Sequence, residues 1–354
     1  MSVPNPSVNN KNLRLICFDG GGVRGLASLY ILDQILSSVG NPLPCQYFDM
    51  IGGTSTGALI AVMLGCLEMD VQTCINKYIE IMGDVFSDAR HARVDLHGNI
   101  VAKYKQSRLR DPVLRVIGES CVIQDNAPEN LRLRRHDRAA AFLVATYRNT
   151  SDSAIFSNYP RPFEQQSQWM DQVTLCEAAL ASTAALSFFD PMLISHGGIS
   201  HWFLDGAFVA NNPINILWNE AQRQFDGAST HLSDRIRIML SIGTGKMGPA
   251  AISSKVTQIL KVLVRLALQT GNTAKTFHET NMVLALNYAY MRFDPPYMED
   301  VGLDDADKKD LISELTSAYG HEPDQIQRLH HFQRVAGTEQ STSFTAYEEQ
   351  ESFA

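Results

Sequence analysis

Two glycine-bounded stretches carry the residues able to do chemistry. In YFDMIGGTSTGALIAVMLGCLE, residues 47–68, Ser55 stands in a G-x-S-x-G pattern between Gly53 and Gly57. A short apolar run, 48–51, precedes it and a longer one, 58–67, follows. A strand turning sharply into a helix at that point presents the hydroxyl outward at a helix start, the arrangement of a nucleophile elbow. Upstream, LICFDGGGVRG ends an apolar run in Asp19 and three consecutive glycines, Gly20, Gly21 and Gly22. Backbone N–H groups exposed at a helix N-terminus, with no side chain to block approach, can hold an anion or a developing oxyanion.

A serine hydroxyl is a poor nucleophile until a neighbouring group takes its proton. None of the ten histidines stands in a local context that marks it, and each reads as a solvated or hydrogen-bonded surface residue. Asp205 differs. In GGISHWFLDGAFVANNP it ends the apolar stretch 201–204 and precedes Gly206, Ala207 and the turn Asn211-Asn212-Pro213. It reads either as a functional carboxylate at a strand end or as a turn aspartate capping the next helix. The glycine loop also has a second reading, because Gly20, Gly22 and Gly25 satisfy the G-x-G-x-x-G of a dinucleotide site. That fold wants an acidic residue ending the second strand, and Asp49 lies before that strand's core.

The elements that must position these groups follow from periodicity. The run LRLICF, 13–18, is short, apolar and bounded by turn residues, as a buried strand is. Leu26, Leu29, Tyr30, Leu32, Ile35, Leu36 and Val39 then form an apolar stripe at helical spacing, stopped by Gly40 and Pro42. Strand and helix patterns continue to alternate through AAAFLVATY, 139–147, and RIRIMLSIG, 235–243. The expected fold is a three-layer α/β/α unit around a mostly parallel central sheet.

Together, D-G-G-G-x-R-G (residues 19–25), G-T-S-T-G (53–57) and D-G-A (205–207) resemble the patatin-like phospholipase family. AIFSNY (154–159), ALASTAALSFFDP (179–191), VANNP (209–213) and SIGTG (241–245) agree with that family's spacing, so the resemblance covers roughly residues 12–300. It implies a lipid acyl hydrolase of phospholipase A or lysophospholipase type. In it Ser55 is the nucleophile, Asp205 the base, and Gly20 to Gly22 the oxyanion hole with Arg24 beside it; Gly25, Gly53, Gly57, Gly206 and Ala207 complete the motifs. Leu180 and Leu186 depart from the family, standing where relatives usually carry Arg and Pro. An acyltransferase would use the same site, and a non-catalytic binding module would keep the fold without turnover.

Composition bounds the rest. With 354 residues, 45% of them hydrophobic, the chain can bury a large core. It reads as one domain over residues 12–335, with polar ends at 1–11 and 336–354 expected to be mobile. The net charge of −8 argues against nucleic acid as a partner. Residues 88–138 nonetheless hold eleven Lys and Arg against seven Asp and Glu, crowded at Arg132, Arg134, Arg135 and Arg138. This segment reads as a solvated face or as a docking surface for anionic lipid. Six singly scattered cysteines and no secretory signal fit a reducing, cytoplasmic location, peripheral to membranes at most. No metal-ligand spacing or cofactor is expected, and nothing in the pattern speaks to oligomeric state.

Overall fold

The computed structural model describes residues 12–87, 93–94, 100–120, 127–134, 139–161, 167–225, 231–246 and 270–337. Eight strands form one sheet among them: β1 Leu13–Phe18, β2 Met50–Thr54, β3 Ala140–Tyr147, β4 Ser153–Ser157, β5 Met192–His196, β6 Ile199–Asp205, β7 Ile236–Ile242 and β8 Tyr290–Phe293. The order is β8-β7-β1-β2-β3-β6-β5, with β4 also on β3. The first five of that order run parallel, and β4, β5 and β6 are antiparallel additions at one end.

Alternation along the parallel strands feeds two separate cores, as the period of two requires. Ile16 and Phe18 of β1, Ile51 of β2 and Leu240 of β7 face one core. Leu15, Cys17, Met50 and Met239 face the other. The first core is closed by α1 Gly25–Ser37, α3 Val71–Phe86 and α4 Ser107–Gly118, the second by α6 Ile214–Phe225. These faces make the three expected layers. Between α1 and α3 lies α2 Thr56–Ala61, whose apolar run continues as a wider π turn through Val62–Cys66. The second strand begins later than the apolar run 48–51 and carries Gly52, Gly53 and Thr54 into the sheet. Glycine is admitted there by packing: a Cβ at Gly52 would lie 2.1 Å from the Phe142 ring.

The registers place two strand ends against each other. Strand β4 occupies one edge of β3, pairing Phe142 to Thr146. On the other edge β2 pairs Ala140 to Val144, and β6 pairs Ala145 to Tyr147. Because β2 is parallel and β6 antiparallel to β3, their carboxyl ends, Thr54 and Asp205, meet at neighbouring residues of β3. The carboxylate therefore arrives on an antiparallel strand, whereas an open parallel sheet would have delivered it on a parallel one.

Behind the glycine loop sits a buried ionic knot. Arg292 of β8 forks onto Asp19, with Nη1 to Oδ1 at 2.8 Å and Nη2 to Oδ2 at 2.5 Å. It also donates to Ser241 at 2.7 Å and to Asp294 at 3.1 Å. Burial pushes the Asp19 carboxyl up to about 6, against the pull of Arg292. Nothing in the sequence pattern singled out Arg292. The last described helix runs Pro323–Gly337. Residues 1–11 and 338–354 lie outside the described residues. Arg292→Leu is expected to destabilise the fold by about 3–5 kcal/mol, because it strands Asp19 without its counter-ion. Denaturant unfolding measures it, and a loss under about 1 kcal/mol would show the pair to be dispensable.

Candidate active site

Ser55 lies between β2 and α2 with φ 54° and ψ −127°, a left-handed conformation that non-glycine residues rarely hold. The turn closes because its neighbours are bare. A Cβ on Gly53 would lie 2.1 Å from the Gly57 carbonyl oxygen, and one on Gly57 would lie 2.4 Å from that of Phe18. Ser182, at the end of α5 Leu175–Ser182, braces the elbow from behind: the Ser55 N–H donates to its Oγ at 3.0 Å, and that Oγ–H donates to Val144 O at 2.6 Å. A capping box, Thr174 with Glu177, starts α5 and so sets where Ser182 falls.

The Ser55 hydroxyl donates to Asp205 Oδ2 at 2.6 Å, and no histidine intervenes. The other carboxyl oxygen, Oδ1, accepts the Ala207 N–H at 2.7 Å. One carboxyl oxygen thus meets the serine hydroxyl and the other an amide of the turn after β6. Its main chain is held by Thr146 Oγ1, which donates to the Asp205 carbonyl at 2.8 Å. A Cβ on Gly206 would strike Val144 O at 2.1 Å, so only glycine lets the chain turn away here. Burial pushes the Asp205 carboxyl up to about 7, although the Ser55 hydroxyl and the Ala207 amide draw it down.

The glycine loop faces the same point, but its amides are not equivalent. The Gly20 N–H donates to Asn211 O at 3.2 Å and the Gly21 N–H to Thr56 Oγ1 at 3.2 Å. The Gly22 N–H and the Thr56 N–H have no acceptor among the described residues. Gly22 has φ 57°, and a Cβ there would lie 2.0 Å from Leu303 O. Arg24 is buried and turned away from the cleft; its Nε reaches back to Gly21 O at 3.4 Å and steadies the loop from inside. Gly25 admits the Tyr78 hydroxyl, which donates to Gly22 O at 2.6 Å.

Two narrow clefts, each enclosing about 50 Å³, open from Ser55. The first runs between Leu59, Met82, Val85, Phe86, Leu109 and Phe189. The second passes Asp205, Ala207, Phe208, Leu186 and Asn211. Phe188 and Leu303 border both and form the partition. Apart from Asp205, no charged side chain among the described residues lines either cleft. Leu303 arrives on a strap whose carbonyl accepts the Val23 N–H at 2.9 Å. Asp304 clasps the strap in place, accepting from Lys103 Nζ at 2.8 Å and the Tyr104 hydroxyl at 3.0 Å.

The structure thus brings Ser55, Asp205 and Gly20 to Gly22 together, with Gly53, Gly57, Gly206 and Ala207 shaping the approach. Of the two departures noted in the sequence, Leu186 lines the second cleft and Leu180 is buried. Sequence reasoning missed Ser182, Leu303 and any role for Asn211; the first and third fall inside quoted motifs, whereas nothing local marks Leu303. No histidine among the described residues borders either cleft. Of the basic segment, Arg132 is exposed and Arg134 is paired with Asp171. Arg135 and Arg138 lie outside the described residues. No helix among them is long and apolar enough to cross a membrane, and no metal-binding group of side chains occurs among them.

The sequence model described as Patatin-like phospholipase matches residues 16–218. A calcium-independent phospholipase A2-gamma of Oryctolagus cuniculus is 25% identical over 307 residues, covering 86% of this chain and 37% of its own. Patatin-like phospholipase 1 of Plasmodium falciparum is 25% identical over 340 residues, 87% of this chain and 47% of its own. A cGAMP-activated phospholipase of Escherichia coli is 26% identical over 334 residues, 86% of this chain and 87% of its own. The chain thus spans a little over a third of the length of the phospholipases A2-gamma it matches.

The raised carboxyl has a consequence for stability. The ordinary aspartate range near 4 applies to the unfolded chain, so the folded Asp205, at about 7, binds its proton more tightly. Its contribution is fullest below pH 4 and is lost as pH rises through 7. Asp205→Asn, a neutral isostere, is expected to be more stable than wild type at pH 8 and level with it at pH 4. Denaturant titrations at both pH values check this; an equal offset at the two would contradict a raised carboxyl.

Proposed function

The chain belongs to the patatin-like phospholipase family, and on that premise we propose that it is a lipid acyl hydrolase working through an acyl-serine intermediate. The observation that carries the reading is the 2.6 Å hydrogen bond from Ser55 Oγ to a buried Asp205 at the junction of two apolar clefts. Asp205 takes the Ser55 proton as Oγ attacks the ester carbonyl. The Gly22 and Thr56 amides, unpartnered among the described residues and beside Ser55, receive the oxyanion, and Gly21 joins them by releasing Thr56 Oγ1. A general base works best when its pKa is near the operating pH, and a carboxyl at about 7 meets that condition.

The position of the base supports one assignment of the two clefts. The proton on Asp205 goes next to the leaving alcohol, so the leaving group lies on the Asp205 side, in the second cleft. The acyl chain then occupies the first, between Met82, Val85, Phe86 and Leu109. Both walls are apolar, so the leaving group carries an apolar portion near its ester oxygen, as a lysolipid does, and a charged headgroup stays outside. Phe208, 47% exposed at the second cleft, would meet the lipid surface first. Contact with that surface is peripheral. The free thiols of Cys17, Cys74 and Cys176 fit work in a reducing, cytoplasmic compartment.

Ser55→Ala is expected to fold normally, to lose fluorophosphonate labelling and to lower kcat by at least about 10³-fold. In the wild type, kcat/KM is expected to rise with pH along a limb centred near 7, where Asp205 ionises. Turnover surviving Ser55→Ala would remove the nucleophile assignment; folded wild type that takes no label would favour a non-catalytic module. Met82→Trp, which fills the first cleft, is expected to cut hydrolysis of a sixteen-carbon nitrophenyl ester by about tenfold or more while sparing the butyryl ester, since each buried methylene contributes ~0.8 kcal/mol. Equal losses on both esters would show that the acyl chain lies elsewhere.

A further inference from the structure

Asn211 follows the short turn after Asp205 and is tied to the glycine loop twice. Its carbonyl accepts the Gly20 N–H at 3.2 Å, and its Nδ2 donates to the Gly20 carbonyl at 3.3 Å. The second bond fixes the amide orientation, because a flipped side chain would press two oxygens together. Oδ1 is thereby directed away from the Gly20 carbonyl. Asn211 is 5% exposed, lines the second cleft with Asp205, and its Oδ1 receives no hydrogen bond from the described residues. A Cβ on Gly20 would lie 2.4 Å from this oxygen and 2.9 Å from Ser55 Cβ, so the two side chains face each other across bare backbone. A buried acceptor left unpaired costs free energy, about 1–3 kcal/mol in general, and such exceptions cluster where a ligand supplies the missing donor.

We infer that Asn211 Oδ1 receives a second O–H from the molecule that takes the acyl group off Ser55, so that the site selects water or a vicinal diol over a monohydric alcohol. The inference rests on the acyl-serine reading above. In deacylation the acceptor oxygen attacks the acyl carbon and forms the new C–O bond, while its proton passes to Asp205. Collapse of the tetrahedral intermediate breaks the bond from carbon to Ser55 Oγ, and Asp205 returns the proton to Oγ. One O–H of the acceptor is consumed by this transfer. Water has another to give to Asn211, and a vicinal diol has its second hydroxyl. A monohydric alcohol has none, and it would leave Oδ1 unpaired in the transition state. The same side chain thereby biases the acyl-enzyme toward hydrolysis, or toward transfer onto a glycerol-like acceptor.

The test is product partitioning from a common acyl-enzyme, which does not depend on how fast that intermediate forms. Wild type is acylated with a nitrophenyl butyrate in the presence of equal concentrations of 1-propanol or 1,2-propanediol, and butyrate and butyrate esters are counted. The diol is expected to capture at least fivefold more acyl group than the monohydric alcohol. In Asn211→Ala that preference is expected to vanish, and the ratio of 1-propyl ester to free butyrate to rise about fivefold or more. A purely structural role would slow nitrophenolate release and leave both ratios unmoved, which would overturn the inference. If Asn211→Ala fails to fold, the wild-type comparison of the two alcohols decides alone: capture within twofold of each other overturns it. Absence of any nitrophenolate burst or of Ser55 labelling would instead count against the acyl-serine reading.

Discussion

Everything at this site depends on two strand ends that meet on one edge of β3. Each strand has two hydrogen-bonding edges; β4 takes one of them, and β2 and β6 must share the other end to end. A parallel and an antiparallel strand placed in this way point their carboxyl ends at each other. Ser55 and Asp205, 150 positions apart in the chain, reach hydrogen-bonding distance through that arrangement. The contact is therefore a property of sheet register. Ser182 reinforces it by bonding both to the elbow amide and to Val144, the residue of β3 where β2 stops.

Around that junction, hydrogen-bond accounting closes almost everywhere. The Gly20 carbonyl accepts from Thr244 and Asn211, Gly22 O from Tyr78, and Asp205 is served on both oxygens. Among the described residues, the groups left unmatched there include the Gly22 and Thr56 amides, Asn211 Oδ1 and Asn212 Nδ2; Gly22, Thr56 and Asn211 border the clefts. Buried polar groups are normally paired, because an unmade bond forfeits solvation without return. Unpaired donors and an unpaired acceptor gathered around one strained serine have the polarity that an oxyanion and an incoming hydroxyl compound would complete. Rigidity behind them comes from the Asp19 and Arg292 pair and from the strap at Leu303, which together hold a loop of bare backbone in one conformation.

Much of this was legible along the chain. The strand LRLICF, the amphipathic α1, the glycine-flanked Ser55 and the aspartate ending β6 each announce themselves within a few residues, since period, turn chemistry and missing side chains act locally. The glycines of both motifs were readable as places of close approach. Their partners were not: Gly57 faces the Phe18 and Asp19 carbonyls, and Gly22 faces Leu303, which no local pattern connects to it.

The amino-acid sequence by itself determined the order of elements, the elbow and the loop of bare amides, and it offered Ser55 and Asp205 as the candidates for chemistry. Tertiary structure decided which way β6 runs, which of the loop amides stay unpaired, where the buried charge of Asp19 finds Arg292, and which oxygen of Asn211 goes without a donor. The division has one physical cause. Backbone conformation and amphipathic period are set by neighbours in the chain. Whether a polar group is satisfied depends on atoms tens to hundreds of residues away, and only packing brings those within 3 Å.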